Sequence, residues 1–320
     1  QGPFSAQGRL GPGPSPERAD RDKMSSMMAP DEGTKTTDRT VSEGCVPGAR
    51  DSRWAFIRLV GGSFESKIVN TNDYLSASHE VFGFTLLITW VLTIIWFPDQ
   101  IMKHPARPII GSFNPCFGWD YAPASYFALT FCSVNVYLTW RYSFFEIMRT
   151  RLQNPGGLTP TQRFASYMAI LLAISSNIWL LLWLIGPGGD RPKDDDGPNM
   201  LHWTLHTGIF VFYMVAFYLA TIGNYLEVAE GPDKANITYE SRVYIIVYGC
   251  SVVYLVFVYF YDLYNYEVGE PPAIPGIFAT IATVLWLLCV GFVTRFTPPE
   301  RPLKVTLEVV GDEELKSLTA

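Results

Sequence analysis

Apolar and polar positions along this chain fall into long blocks, without the strict alternation of a half-buried strand or the single stripe of a soluble helix. Runs of about twenty residues that are apolar nearly all round occupy 79–97, 122–145, 164–185, 201–226, 243–263 and 274–296. A hydrocarbon layer roughly 30 Å thick needs about that much helix, because each residue rises only about 1.5 Å and every backbone amide must be bonded inside its own segment. Pro, Gly and charge clusters end the runs, as in Phe97-Pro98-Asp99, Gly186-Pro187-Gly188-Gly189 and Pro298-Pro299. The pattern predicts an all-α fold, a polytopic membrane helical bundle with about six transmembrane helices.

Rings crowd the ends of these runs, among them Trp119, Tyr121, Trp140, Tyr142, Trp203, Tyr261, Tyr264 and Tyr266, where an aromatic side chain sits between lipid and water. Before the first run the pattern changes. Residues 1–60 are rich in Gly, Pro, Ser and charge and, up to about residue 50, nearly empty of aromatic and β-branched side chains, so they read as a disordered tail. Residues 61–78 read as a juxtamembrane segment, 79–297 as the transmembrane domain, and 298–320 as a short cytoplasmic tail.

Orientation follows from Lys and Arg in the short loops, which stay on the cytoplasmic side. Arg149, Arg151 and Arg163 lie between the second and third runs. Arg295, Arg301 and Lys304 follow the sixth, and Arg50, Arg53, Arg58 and Lys67 precede the first. Both termini are therefore expected in the cytoplasm. The sequon Asn236-Ile237-Thr238 then faces the cytoplasm and is expected to stay unmodified.

Only 17% of residues are charged and the net charge is −6, with no basic stripe interleaved with aromatics, which excludes nucleic acid as a partner. The five cysteines show neither ligand spacing nor a disulfide framework, so no metal and no cofactor is expected. Membrane lipids, an acyl-chain ligand or substrate, and neighbouring membrane subunits are the partners such a chain suits.

Polar side chains inside a bilayer are costly and mark candidate sites. His202 and His206 are four apart on one helical face, a spacing that suits two metal ligands but lacks a third. Asn135 and Asn177 fall near mid-membrane, Asp262 near the outer end of the fifth run, and Asn224 near the inner end of the fourth. Together with His202, the residues Asn135, Asn177 and Asp262 are read as lining a polar cavity, or as cross-helix bonds that hold the bundle together. No lysine lies inside a run, which excludes a retinal Schiff base.

Thr130 and His206 enter the membrane from the same side to similar depth, roughly 8–12 Å at about 1.5 Å per residue. A hydroxyl beside an imidazole becomes a usable nucleophile, although a threonine bonded to its own helix and an interfacial histidine satisfy the same residues. Tyr126-Phe127-Ala128-Leu129-Thr130-Phe131 and Leu205-His206-Thr207 resemble the two signatures of the androgen-induced / rolling-stone family of six-helix membrane proteins, some of which are threonine hydrolases of fatty-acid esters. The resemblance implies Thr130 as nucleophile, His206 as general base and lipid esters as substrates. The family's asparagine after the threonine is displaced here, with Asn135 nearest. The alternative is a non-enzymatic polytopic protein: a transporter, a receptor-like protein or a structural subunit.

Overall fold

The computed structural model describes residues 52–61, 68–104, 115–119, 122–185, 200–268 and 276–305, so the start of the tail, up to residue 51, lies outside it. The described chain is an all-α bundle. A short helix α1 (Ala55–Gly61) precedes α2 (Thr71–Trp96) and the brief α3 (Pro98–Met102). Then come α4 (Ala124–Gln153), α5 (Pro160–Ile185), α6 (Met200–Glu230), α7 (Tyr239–Glu267), α8 (Gly276–Gly291) and a one-turn α9 (Val293–Phe296). Each predicted run is helical over most of its described length. Four stretches, Thr71–Trp96, Pro160–Leu181, Thr204–Glu230 and Tyr239–Asn265, are long and apolar enough to cross a membrane, and the apolar α8 is shorter at 16 residues. The chain is thus built as a multi-pass membrane protein.

Local chemistry sets the helix ends. Thr159 caps α5: its hydroxyl accepts the Gln162 amide at 3.3 Å while Gln162 Oε1 takes the Thr159 amide at 2.9 Å, with Pro160 in the first turn. Gly157, at φ 112°, makes the reversal after α4 that a side chain would resist. Thr238 caps α7 by accepting the Ser241 amide at 3.2 Å. These two short connections lie at one end of the bundle, where α2, α5 and α7 begin and α4, α6 and α8 finish; this is the basal end.

Several elements outrun their apolar runs. α2 starts eight residues before position 79, because its polar first turns are buried in the bundle, where Asn72 accepts from Asn224 and donates to the Pro298 carbonyl and the Ser78 hydroxyl bonds the Leu75 carbonyl of its own helix. The juxtamembrane assignment of 61–78 therefore covers the first turns of α2. α4 continues past Phe145 through Glu146 and Arg149, both buried. The sixth run breaks at Phe292, between α8 and α9. Residues 298–305, assigned to the tail, are docked: Pro298 and Glu300 are buried, and Leu303–Lys304 pairs antiparallel with Ile68–Val69.

Glu80 shows how a charge inside α2 is used. Its carboxylate accepts the amides of Ala55 at 3.0 Å and Phe56 at 2.9 Å and the Thr294 hydroxyl, so one buried acid caps α1 and ties it to α9. The middle of the bundle is aromatic. Phe82 touches the rings of Trp119, Trp179, Tyr213, Phe217 and Trp286, mostly edge to face. α5 and α6 meet closely at Gly223, where a Cβ would stand 3.1 Å from the Ala165 Cα.

Candidate functional site

The interior holds polar groups in two layers. The middle layer consists of cross-helix bonds. Asn135 donates to the Ser78 carbonyl at 2.5 Å and accepts the Tyr213 hydroxyl, joining α4 to α2 and α6. Thr139 donates to Ser176 at 2.9 Å, joining α4 to α5. His79, fully buried, bonds the Leu75 carbonyl through Nδ1 at 2.9 Å and meets the Thr221 hydroxyl through Nε2 at 3.2 Å. The carbonyl can only accept, so Nδ1 carries the proton and Nε2 is the bare nitrogen; the one Thr221 proton lies between Nε2 at 3.2 Å and the nearer Phe217 carbonyl of its own helix at 2.9 Å.

The basal layer is charged. Glu146 and Arg149 of α4, Glu227 of α6 and Glu300 after α9 come together with Asn224, Thr150 and Asn72. Arg149 grips Glu146 with two nitrogens, Nε at 3.2 Å from Oε2 and Nη2 at 2.5 Å from Oε1. The same Nη2 lies 2.9 Å from Glu227 Oε2 and 3.3 Å from Glu300 Oε1. Thr150 donates toward Glu227 Oε1 at 3.3 Å, and Asn224 Nδ2 reaches Asn72 Oδ1 at 2.6 Å and Glu300 Oε1. The four ionic side chains are all at most 6% exposed. Three carboxylates thus share one guanidinium, a formal charge of −2 if all are ionised, where such a charge is strongly disfavoured.

Among the described residues, three side-chain atoms at this layer are sealed from water without a hydrogen bond: the acceptors Glu300 Oε2 and Asn224 Oδ1, and the hydroxyl of Tyr142, which neighbours the same charges. Burial first, and then the Glu146 carboxylate, raise the Glu300 pKa well above its ordinary 4.5 against the opposing pull of Arg149. Burial works against the Arg149 charge, but Glu300 and Glu146 outweigh it and hold the guanidinium protonated. The carboxylate oxygens lie within 4.8 Å of one another, close enough to hold a metal ion. The Arg149 Nη2 already bonds one oxygen of each carboxylate.

The sequence-based candidates scatter. Thr130 lies on the outward face of α4 beside Tyr126, Phe127 and Leu129, and its hydroxyl donates to the Tyr126 carbonyl of its own helix at 3.0 Å. α4 turns Ala128, Cys132 and Asn135 inward instead. His206 is half-buried near the start of α6, and Asp262 is buried on α7. Asn177 faces outward and bonds the Ala173 carbonyl of its own helix at 2.8 Å, whereas Asn135 is turned inward. His202 falls in the first turn of α6, where its side chain is outside the described residues.

The basal residues other than Asn224 escape a reading based on apolar runs, because they sit just past the runs where loops are expected. A usable signal exists. Asn135, Thr139, Tyr142, Glu146 and Arg149 recur every three or four residues, which continues the inward face of α4 beyond its apolar run. Compared with models of known protein families, with curated proteins and with solved structures, the chain matches none, so the site itself has to carry the functional argument.

Proposed function

We propose that this chain is a multi-pass membrane protein of the transporter type, whose working group is a proton held at the basal centre by Glu300 and its neighbours. The observation that carries the reading is the mismatch there: three buried carboxylates to one guanidinium, with Glu300 Oε2 and Asn224 Oδ1 lacking hydrogen bonds. A proton on Glu300 Oε2 removes one unit of negative charge and turns an orphan acceptor into a donor for a neighbouring oxygen. Ionisable groups inside membrane bundles that gain and lose protons are the usual parts of proton-coupled carriers. The cationic residues Arg151, Arg163, Arg301 and Lys304 at this end support placing it, with both termini, in the cytoplasm.

The test is infrared difference spectroscopy of the purified protein during pH titration. A protonated buried carboxyl should persist well above pH 4.5 and vanish in Glu300→Gln. Its absence from the unsubstituted protein would overturn the reading.

The lipid-ester hydrolase implied by the family resemblance is a second reading, and one contact favours it. His79, oriented by the Leu75 carbonyl, lies 3.2 Å from the Thr221 hydroxyl, a base within reach of a threonine whose proton would have to turn to it from the Phe217 carbonyl at 2.9 Å. Both residues are buried, so an ester would reach them only if α2 and α6 parted. Labelling by a fluorophosphonate probe, lost in Thr221→Val or in Thr130→Ala, would support this reading and identify the threonine. No labelling would remove it.

A further inference from the structure

Apart from the basal centre, the surface carries a continuous recess along the seam between α2 and α8. It opens at the basal end as a cleft of about 490 Å³ between α1 and the start of α2 on one side and residues 291–299 on the other. Arg53, Arg58 and Arg295 line it against a single carboxylate, Asp73. Arg58 is committed to Asp73 and to the Ser52 carbonyl at 2.7 Å. Arg53 and Arg295 have no carboxylate partner among the described residues. Each lies over an aromatic ring instead, at 5.3 Å from Trp54 and 5.9 Å from Phe296. The first turn of α2, whose Asn70 cap makes no side-chain bond, also faces the cleft and adds the positive end of a 26-residue helix.

The cleft runs into an apolar groove of about 120 Å³, sharing Gly291 and Phe292 with it. Leu87 of α2 and Val284 and Leu288 of α8 wall this groove, and all are exposed. A third recess of about 280 Å³ continues it through the shared Trp90 and Thr280. From Phe292 to Thr280 the seam is about 18 Å long at roughly 1.5 Å per residue, close to the depth of one leaflet of a layer roughly 30 Å thick. Trp54 stands where cleft meets groove, edge-on to Phe84 at 5.1 Å and tilted against Phe292, as an aromatic ring does at the lipid–water boundary.

A cationic mouth at the membrane surface joined to an apolar channel one leaflet deep matches one molecule. We infer that the seam binds an anionic glycerophospholipid, its phosphate between Arg53 and Arg295 and one acyl chain laid along α2 and α8. With the cytoplasmic placement proposed above, on which this inference rests, the basal end faces the leaflet in which anionic lipids concentrate. Arg58, neutralised by Asp73, shapes the mouth without being the main attractor, and Gly291 leaves the passage from mouth to groove open, since a Cβ there would meet nothing within 4 Å.

The test is native mass spectrometry of the full chain released from nanodiscs containing equal phosphatidylserine and phosphatidylcholine. The serine lipid should be retained over the choline lipid by roughly tenfold to thirtyfold, as expected for two guanidiniums at an anionic surface. Arg53→Ala with Arg295→Ala should bring that preference to within about twofold, and Arg53→Lys with Arg295→Lys should keep most of it. Gly291→Leu should lower retention of both lipids, because it fills the passage shared by cleft and groove. Equal retention of the two lipids by the unsubstituted protein would overturn the proposal. So would displacement of the serine lipid by millimolar inorganic phosphate, which would make the mouth a phosphate site alone. If the arginine variants do not fold, these two measurements on the unsubstituted chain decide the matter.

Discussion

The middle and the basal end of this bundle both bury polar side chains, but they balance them differently. In the middle, Asn135, Thr139 and Ser176 find partners across the helices, and His79 bonds the Leu75 carbonyl of its own helix and meets the Thr221 hydroxyl of α6. Such a network fixes the relative rotation of α2, α4, α5 and α6 and carries no net charge, with the Tyr248 hydroxyl and the Trp286 indole N–H buried beside it without a hydrogen bond. At the base, charge is in excess and two acceptors are left over. A network of neutral bonds makes structure. Leaving one charge short makes a group whose state can change.

That contrast is broken most severely at Arg149. Replacing it with Met leaves Glu146, Glu227 and Glu300 buried without their shared cation, and the expected cost is about 3–5 kcal/mol. Denaturant unfolding in nanodiscs measures it, and a loss under about 1 kcal/mol would mean that the basal layer is hydrated. Tyr213→Phe is the matched change in the middle layer. It strands the buried Asn135 Oδ1 without its donor and should cost about 1–3 kcal/mol, with no dependence on pH.

Glu300→Gln should show a smaller effect of different shape. The folded state raises the Glu300 pKa above its unfolded value, so the folded protein holds the proton more tightly. The stability it contributes is complete below about pH 4.5 and is lost as pH rises through the raised value. Melting temperature should therefore fall with pH in the native chain over that window, and the slope should flatten in the glutamine variant. An unchanged slope would place the titration elsewhere.

Much of this fold is legible in the sequence, because a run of some twenty apolar residues has few ways to satisfy its amides. The helix ends are less so. Position 71 starts α2 among polar residues because Asn72 finds Asn224 and the Pro298 carbonyl, partners that are 152 and 226 residues away. The same distance hides the basal centre: Glu300 looks like part of a polar tail until Asn224 and Arg149 are seen around it. A depth argument places Thr130 and His206 at one level of the membrane but says nothing of rotation about the helix axis. Rotation is what turns Thr130 outward, while Asn135, five residues on, faces inward.

Thr130→Ala is the mildest substitution and the one that separates the two layers from the surface. Its hydroxyl already bonds the Tyr126 carbonyl of its own helix on an exposed face, so removing it orphans no partner on another helix. Stability should move by less than about 0.5 kcal/mol, the range of surface changes away from special features. Thr221→Val removes a hydroxyl of the same kind from a buried place, where it faces the bare nitrogen of His79, and should cost about 1–3 kcal/mol. If the two threonines prove equal, rotation of α4 in the membrane differs from the arrangement described, and the inward row from Asn135 to Arg149 loses its support along with the basal centre. If they differ as expected, depth and rotation are both fixed, and the outward threonine is left as an ordinary lipid-facing residue.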